Sequence, residues 1–348
     1  MSFVVSANRI TSIDLLRGFA ITIMVVSHTI IFLLAGVQPI WFIFYEALAA
    51  PIFICVVGIM VAISSRRSKH TLKYYLIRGL MVVGAGVFVD IAIWQIYPFT
   101  SFDVLYLIGL AIPAAYLFLK LNRVIQLTII FSVFFLTPFL QVLFGYINPI
   151  GLLNLEKVSE YSEVLSRWLI NGWFPVFPWI VFAFVGAVFG DLRYRLNNKF
   201  FLKNKNVAIS SLAVIGLGSI IMFFSPGTPL ALTSYSIGFI YPPTIGFSVV
   251  AVGIVGVLFI VMENVSTVRI LKPLAIFGSM ALFFYILHLA LLEYVLSLLG
   301  AIHSFTVTLL ICSVFLGFLL LVAYGLYKMK QRLNWGTKPW ILKFIFGG

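Results

Sequence analysis

The chain opens on a long apolar stretch at residues 12–36, which has the sequence SIDLLRGFAITIMVVSHTIIFLLAG. A helix needs about 20 consecutive apolar residues to cross the hydrocarbon core of a bilayer, and this stretch is longer than that. Lipid offers no partner to backbone N–H and C=O groups, so a spanning segment must bond them internally. We therefore predict that residues 12–36 form a transmembrane helix.

The composition of the whole chain has the same character. Of its 348 residues 62% are hydrophobic and only 9% are charged, whereas soluble domains carry about 25% charged residues. So few charges cannot cover a water-facing surface, which excludes a soluble globular protein. We predict one all-α integral membrane domain over residues 1–348, a helix bundle of about ten spans. The predicted spans cover residues 12–36, 47–65, 76–97, 103–120, 124–145, 173–192, 206–225, 240–262, 274–299 and 305–327.

The basic residues are spread unevenly over the connections between these spans. All 23 lysines and arginines except Lys157 and Arg167 lie in the terminal segments or in and beside every second connection. Cytoplasmic loops carry an excess of such residues, so we expect cytoplasmic termini and a multi-pass protein of the cell membrane. The net charge of +13 then reflects topology, and we expect no nucleic-acid partner. The tail at 327–348 mixes aromatic residues with lysines, which predicts a cytoplasmic interfacial segment.

Three ionisable residues mark the first predicted span. Ionisable side chains within spans are costly and are therefore functional candidates. Asp14 precedes Arg17 by three residues, close enough on a helix to pair. Arg17 and His28 are eleven residues apart, close to three helical turns, and share one face. Two interpretations stay open: the stripe lines a functional interior, or Asp14 and Arg17 anchor the helix end while His28 makes a packing hydrogen bond.

Other spans carry weaker signals. His288 follows Tyr285 on one side of the ninth span, and either serves function or makes a structural hydrogen bond between helices. Asp90 and Asp103 flank the connection at 97–102, where they are either functional or solvated at the membrane surface. The two cysteines lie in apolar stretches without metal-ligand spacing, so we expect buried thiols and no metal site.

Several segments in a fixed order resemble the transmembrane acyltransferase superfamily, and within it the prokaryotic relatives of heparan-alpha-glucosaminide N-acetyltransferase. They are RITSIDLLRGFA at 9–20 followed by Met24 and His28, APIF at 50–53, FPVFPW at 174–179, YPP at 241–243, and FG at 277–278 with FFYILH at 283–288. Arg17 and His28 also have the spacing found in the membrane acyltransferase-3 family. The chain departs from close relatives at Ser27, where they often carry Asp.

This resemblance implies transfer of an acyl group, expected to be acetyl, from cytoplasmic acyl-CoA to an amine or hydroxyl of an extracytoplasmic sugar or glycan. It implies His28 as catalytic base, either in direct transfer or through a histidine-linked acyl intermediate. Asp14, Arg17 and His288 complete the expected catalytic set. The residues expected to hold the CoA phosphates, unless they only set topology, are Arg17, Arg66, Arg67, Lys73 and Arg78. The oligomeric state stays open, with a homodimer as one option.

Intramembrane charges also suit a different function. A proton-coupled transporter or lipid-linked-sugar flippase would use Asp90, Asp103, His288 and Glu293 as a proton relay. Transporters commonly show inverted repeats with helices broken by Gly or Pro at corresponding positions, and the sequence shows no such correspondence. A non-catalytic membrane subunit is a third alternative.

Overall fold

A computed structural model describes most of the chain. The described residues are 10–68, 70–145, 161–195, 205–224, 243–333 and 335–347. Within these ranges the regular elements are helices. Leu34 and Ile302 form an isolated β-bridge. In this part of the chain nine helices are long and apolar enough to cross a membrane. The prediction of an all-α, multi-pass membrane bundle is confirmed, while the cytoplasmic orientation of the termini stays a prediction.

Fourteen α-helices are found in the described residues. They are α1 (Thr11–Leu33), α2 (Ile40–Glu46), α3 (Ala49–Arg67), α4 (Leu72–Val89), α5 (Val104–Phe118), α6 (Arg123–Leu143), α7 (Tyr161–Ser166), α8 (Val176–Arg195), α9 (Lys205–Phe224), α10 (Ile245–Asn264), α11 (Lys272–Ser279), α12 (Ala281–Tyr294), α13 (Phe305–Arg332) and α14 (Trp340–Phe346). Two of them continue as π-helical turns, at Asp90–Trp94 after α4 and at Arg167–Asn171 after α7.

Three predicted spans differ from the helices in detail. The second already begins at Ile40, because the short helix α2 precedes α3. The fourth, predicted at 103–120, corresponds to the 15-residue helix α5, which ends at Phe118. Its N-cap is Asp103, whose side chain accepts a bond from the Val104 N–H. The ninth is broken at Met280, whose backbone leaves the helical region between α11 and α12. The third corresponds to α4 with its π-helical turn. The other predicted spans match single helices to within a few residues, except that residue 225 of the seventh and residues 240–242 of the eighth lie outside the described residues.

The chain divides into two compact units. The first unit comprises Met1–Ala49 and Val257–Gly348, and the second comprises Ala50–Gly256. The first thus contains α1, α2 and α11 to α14, and the second contains α3 to α9, with α10 divided between them. The prediction of a single domain over residues 1–348, with an interfacial tail at 327–348, stays a prediction.

In the first unit, α1 packs against α11, α12 and α13. The closest approach is made by two glycines, Gly18 on α1 and Gly278 on α11. A Cβ at Gly278 would overlap the Asp14 carbonyl oxygen and the Gly18 backbone nitrogen, and a Cβ at Gly18 would overlap the Leu274 carbonyl. Small residues allow such backbone contact between membrane helices. This contact fixes α11 on α1, and thereby the start of α12.

In the second unit, glycines bring α3 and α8 together. A Cβ at Gly58 would overlap the carbonyl oxygen of Ala183, and a Cβ at Gly186 would overlap that of Cys55. The contact continues one turn further at Gly190, which lies against Ile59. The C-terminal ends of α3 and α8, which carry Arg66 and Asp191, are therefore held side by side.

Candidate active site

Two histidines from α1 and α12 meet inside the first unit. His28 Nδ1 lies 3.0 Å from His288 Nε2. The two ring planes differ by 18° and the ring centroids are 5.2 Å apart. Since the two nitrogens are 3.0 Å apart, they lie nearly on the line that joins the centroids. The hydrogen bond therefore runs close to the plane of each ring. His288 is fully buried, whereas His28 is half-buried. Two residues that the sequence analysis placed on separate spans thus form one pair.

The partner of the second histidine nitrogen assigns the protons of this pair. His288 Nδ1 lies 2.9 Å from the Phe284 carbonyl oxygen. A carbonyl oxygen only accepts, so Nδ1 of His288 carries the proton and its Nε2 is the acceptor in the neutral ring. His28 Nδ1 must therefore donate to His288. The Nε2 atom of neutral His28 is left with its lone pair.

This arrangement is suited to general-base chemistry. A base is most effective when a further group fixes its tautomer and orientation, and His288 does this for His28. His288 is itself held by the Phe284 carbonyl and by Tyr285, whose ring meets it edge-on at a centroid distance of 5.7 Å. The orientation of His28, and of the lone pair on its Nε2, is thus fixed by two hydrogen bonds, from His28 to His288 and from His288 to the α12 backbone.

A carboxylate from α2 contacts the residue that precedes His28. Ser27 Oγ donates to Glu46 Oε2 over 3.1 Å. Ser27 is buried, and Glu46 is half-buried at the end of α2. Glu46 thus brings a carboxylate from α2 to a side chain of α1. The sequence analysis missed this contact, because it joins residues on two different helices.

Asp14 and Arg17 form the predicted pair at the start of α1. Arg17 Nη1 lies 3.3 Å from Asp14 Oδ1. Since α1 runs unbroken from Thr11 to Leu33, Arg17 and His28 keep their common face about 16 Å apart along the axis. The backbone oxygen of Asp14 also lies at the closest contact with Gly278.

The other basic residues expected to bind CoA lie in the second unit and have different surroundings. Arg66 Nη2 is 2.6 Å from Asp191 Oδ1. Arg78 Nη1 donates to the Tyr74 hydroxyl over 2.7 Å. Arg67 and Lys73 are exposed, at the end of α3 and the start of α4.

Asp191 is a buried carboxylate that the sequence analysis did not single out. It accepts from Arg66, and also from Arg123 on α6 and Arg195 on its own helix. The sequence held one usable signal, because Asp191 and Arg195 have the i,i+4 spacing of a helical ion pair. Arg66 and Arg123 lie on other helices, so sequence spacing does not predict their contacts with Asp191.

Asp90 and Asp103 are buried, so their solvation at the membrane surface was a wrong interpretation. Asp90 accepts bonds from the Ser101 hydroxyl and the Tyr106 hydroxyl, each at 2.6 Å, and from the Phe99 N–H at 3.0 Å. These donors close the connection between α4 and α5 around the carboxylate.

In the described part of the chain there is no group of three or more His, Cys, Asp or Glu side chains arranged for a metal.

The sequence of this chain matches a known protein family. The family model described as heparan-alpha-glucosaminide N-acetyltransferase, catalytic, matches residues 9–226. The match includes His28, Glu46 and Asp191, while His288 lies beyond its end. No curated protein matches the chain significantly. The matched range is more than half of the chain, and the protein therefore belongs to the heparan-alpha-glucosaminide N-acetyltransferase catalytic-domain family.

Proposed function

We propose that this membrane protein transfers an acetyl group from cytoplasmic acetyl-CoA to an amine or hydroxyl of a sugar or glycan on the other side of the cell membrane. Family membership supports acyl transfer as the reaction class. The observation that carries the proposal is the hydrogen-bond chain from the Phe284 carbonyl through His288 to His28. It supplies what this reaction needs, an oriented and unprotonated nitrogen.

In direct transfer, Nε2 of His28 takes the proton of the acceptor amine or hydroxyl as that group attacks the thioester carbonyl. The new C–N or C–O bond forms, the C–S bond breaks, and the CoA thiolate leaves. The proton on His28 then passes to the thiolate, which restores the neutral ring. In the covalent alternative, the same lone pair would attack the thioester carbonyl, and the C–S bond would break as the CoA thiolate leaves. The acylated imidazolium would then pass the acyl group to the acceptor, whose proton would go to the thiolate.

The remaining residues have supporting roles in this proposal. His288 positions His28, and the Asp14–Arg17 pair organises the start of α1. The distribution of lysines and arginines supports a cytoplasmic location for this end of α1, the side on which acetyl-CoA is found. Within the second unit, Arg66, Arg67, Lys73 and Arg78 supply positive charge for the CoA phosphates.

The experiment uses the purified full chain in lipid nanodiscs with radiolabelled acetyl-CoA and a panel of amino sugars and neutral glycans. We expect label transfer and CoA release with the wild-type protein and with His303→Ala, a control at an exposed histidine that contacts the Ala35 carbonyl. His28→Ala is expected to abolish both. Full activity of His28→Ala, or a wild-type protein that neither binds acetyl-CoA nor transfers label, would show that the proposal is wrong.

A further inference from the structure

Three arginines from three helices converge on one carboxylate in the second unit. Arg66 Nη2 lies 2.6 Å from Asp191 Oδ1, and Arg195 Nε lies 3.0 Å from Asp191 Oδ2. Arg123 Nη2 also donates to Oδ2. We call these four residues the Asp191 cluster. The Asp191 side chain is only 2% exposed, so the carboxylate is covered by its partners.

The cluster carries an excess of positive charge. One carboxylate faces three guanidinium groups, which leaves a net charge of +2 from the four residues. Like charges held this close repel one another, and a further anion would relieve that repulsion. The arginine side chains are 37% (Arg66), 37% (Arg123) and 59% (Arg195) exposed, so an anion can reach them while the aspartate stays buried.

The positions of the guanidinium groups are fixed before any ligand arrives. Arg123 donates to Asp191 through one terminal nitrogen and to Gln126 Oε1, at 2.7 Å, through the other. Gln126 is itself buried and bonds through Nε2 to the carbonyls of Phe118 and Leu121. Arg66 is held beside Asp191 by the glycine contacts between α3 and α8. Such preorganised forks favour recognition of planar or tetrahedral oxyanions.

Arg195 is the member with most capacity for a ligand. Among the described residues, Arg195 contacts Asp191 through Nε alone. A guanidinium group has four further N–H donors on its terminal nitrogens. A phosphate group offers oxygens at the spacing that such a fork matches.

We propose that the Asp191 cluster is a binding site for a phosphate group. The distribution of basic residues predicts that this end of α8 lies on the cytoplasmic side. Two sources of a phosphate group are present on that side. One is the nucleotide part of the acyl donor, an assignment that rests on the proposed function. The other is the headgroup of an anionic lipid. In this site Arg66 acts together with Arg123 and Arg195.

The nucleotide is tested with adenosine 3′,5′-bisphosphate, which carries phosphates but no thioester. Binding is measured by calorimetry on the full chain in nanodiscs of phosphatidylcholine. We expect Arg195→Gln to weaken binding about tenfold, as loss of a charge-assisted contact does. Arg332→Gln, the same change at an exposed arginine at the end of α13, should leave it unchanged.

The lipid is tested by offering the same proteins a mixture of phosphatidylcholine and phosphatidylglycerol and measuring which lipids co-purify. Loss of phosphatidylglycerol with Arg195→Gln, but not with Arg332→Gln, supports the site with a lipid as its occupant. If neither probe distinguishes the two variants, the cluster only ties helices together and the proposal is wrong. Thermal unfolding checks that both variants are folded. Neither probe requires turnover, so a protein inactive in acyl transfer still gives a result.

Discussion

His28 Nδ1 and His288 Nε2 are 3.0 Å apart, and this bond determines which nitrogen of His28 is available to a substrate. His288 cannot donate through Nε2 in its neutral form, since the Phe284 carbonyl takes the proton on Nδ1. His28 is therefore the donor within the pair and keeps a lone pair on Nε2. In a hydrolytic triad a carboxylate fixes the catalytic histidine, whereas the group that fixes the His28 ring is a neutral histidine, which adds no charge.

We predict that His288→Ala lowers kcat for acyl transfer by about a hundredfold, because His28 loses the group that fixes its tautomer. KM for acetyl-CoA should stay close to that of the wild type. His288→Gln should recover part of the rate, since an amide oxygen can accept the His28 Nδ1–H. A merely structural role for His288 would give no such difference between the alanine and glutamine variants, and wild-type kcat in His288→Ala would contradict the account.

Ser27→Ala should destabilise the first unit by about 1–2 kcal/mol, because it removes a hydrogen bond to a carboxylate from a buried position. Thermal unfolding of the purified protein measures this. Ser313→Ala is the matched control, since this serine is exposed and its hydroxyl donates to the Leu309 carbonyl of its own helix. Ser27→Asp should lower the unfolding midpoint further, because two carboxylates would face each other. A midpoint of Ser27→Asp equal to that of the wild type would show that Glu46 does not lie against this side chain.

Gly278→Ala should cost about 1–3 kcal/mol, the range for forcing an extra methyl group into a packed contact. The methyl would meet the Asp14 carbonyl oxygen and the Gly18 backbone, neither of which can rotate away. Acyl transfer should fall as well, because α12 and His288 follow directly after α11. Gly317→Ala on α13 meets nothing within 4 Å and should be neutral or slightly stabilising. Equal unfolding midpoints for the two variants would contradict the packing of α1 on α11.

Asp90→Asn should destabilise the second unit by about 2–4 kcal/mol. The new amide N–H₂ would face the Tyr106 hydroxyl, the Ser101 hydroxyl or the Phe99 N–H, all of which now donate to the carboxylate. Glu293→Gln makes the same chemical change at a half-buried residue and should leave the unfolding midpoint within about 0.5 kcal/mol of the wild type. A proton-relay function would instead leave stability intact in both variants and abolish substrate flux in proteoliposomes.

Much of the fold was predictable because membrane spans follow from local composition. Stretches of about 20 apolar residues must be helical in lipid, and nine described helices meet that criterion. The differences arise where a short helix extends a span, as α2 does, or where the backbone leaves the helical region, as at Met280. Those features depend on a single side chain or on the packing of neighbouring helices, and hydropathy does not contain them.

The candidate site was predictable in part. Helical periodicity placed Arg17 and His28 on one face, but periodicity does not say which helix that face meets. The partner of His28 is 260 residues away, and the two are joined because glycines allow α1 and α11 to touch. The contact of Glu46 with Ser27 and the cluster at Asp191 were missed for the same reason, since both depend on contacts between helices.

The tautomer of His28 in the full-length protein is the most direct test of this account. The chain has four histidines, so nitrogen NMR on histidine-labelled protein in nanodiscs can be assigned with single His→Gln variants at His70 and His303. The account predicts a protonated Nδ1 and an unprotonated Nε2 in His28, with a protonated Nδ1 in His288. A proton on His28 Nε2 instead would contradict it, because that nitrogen would have no lone pair to accept the proton of an acyl acceptor.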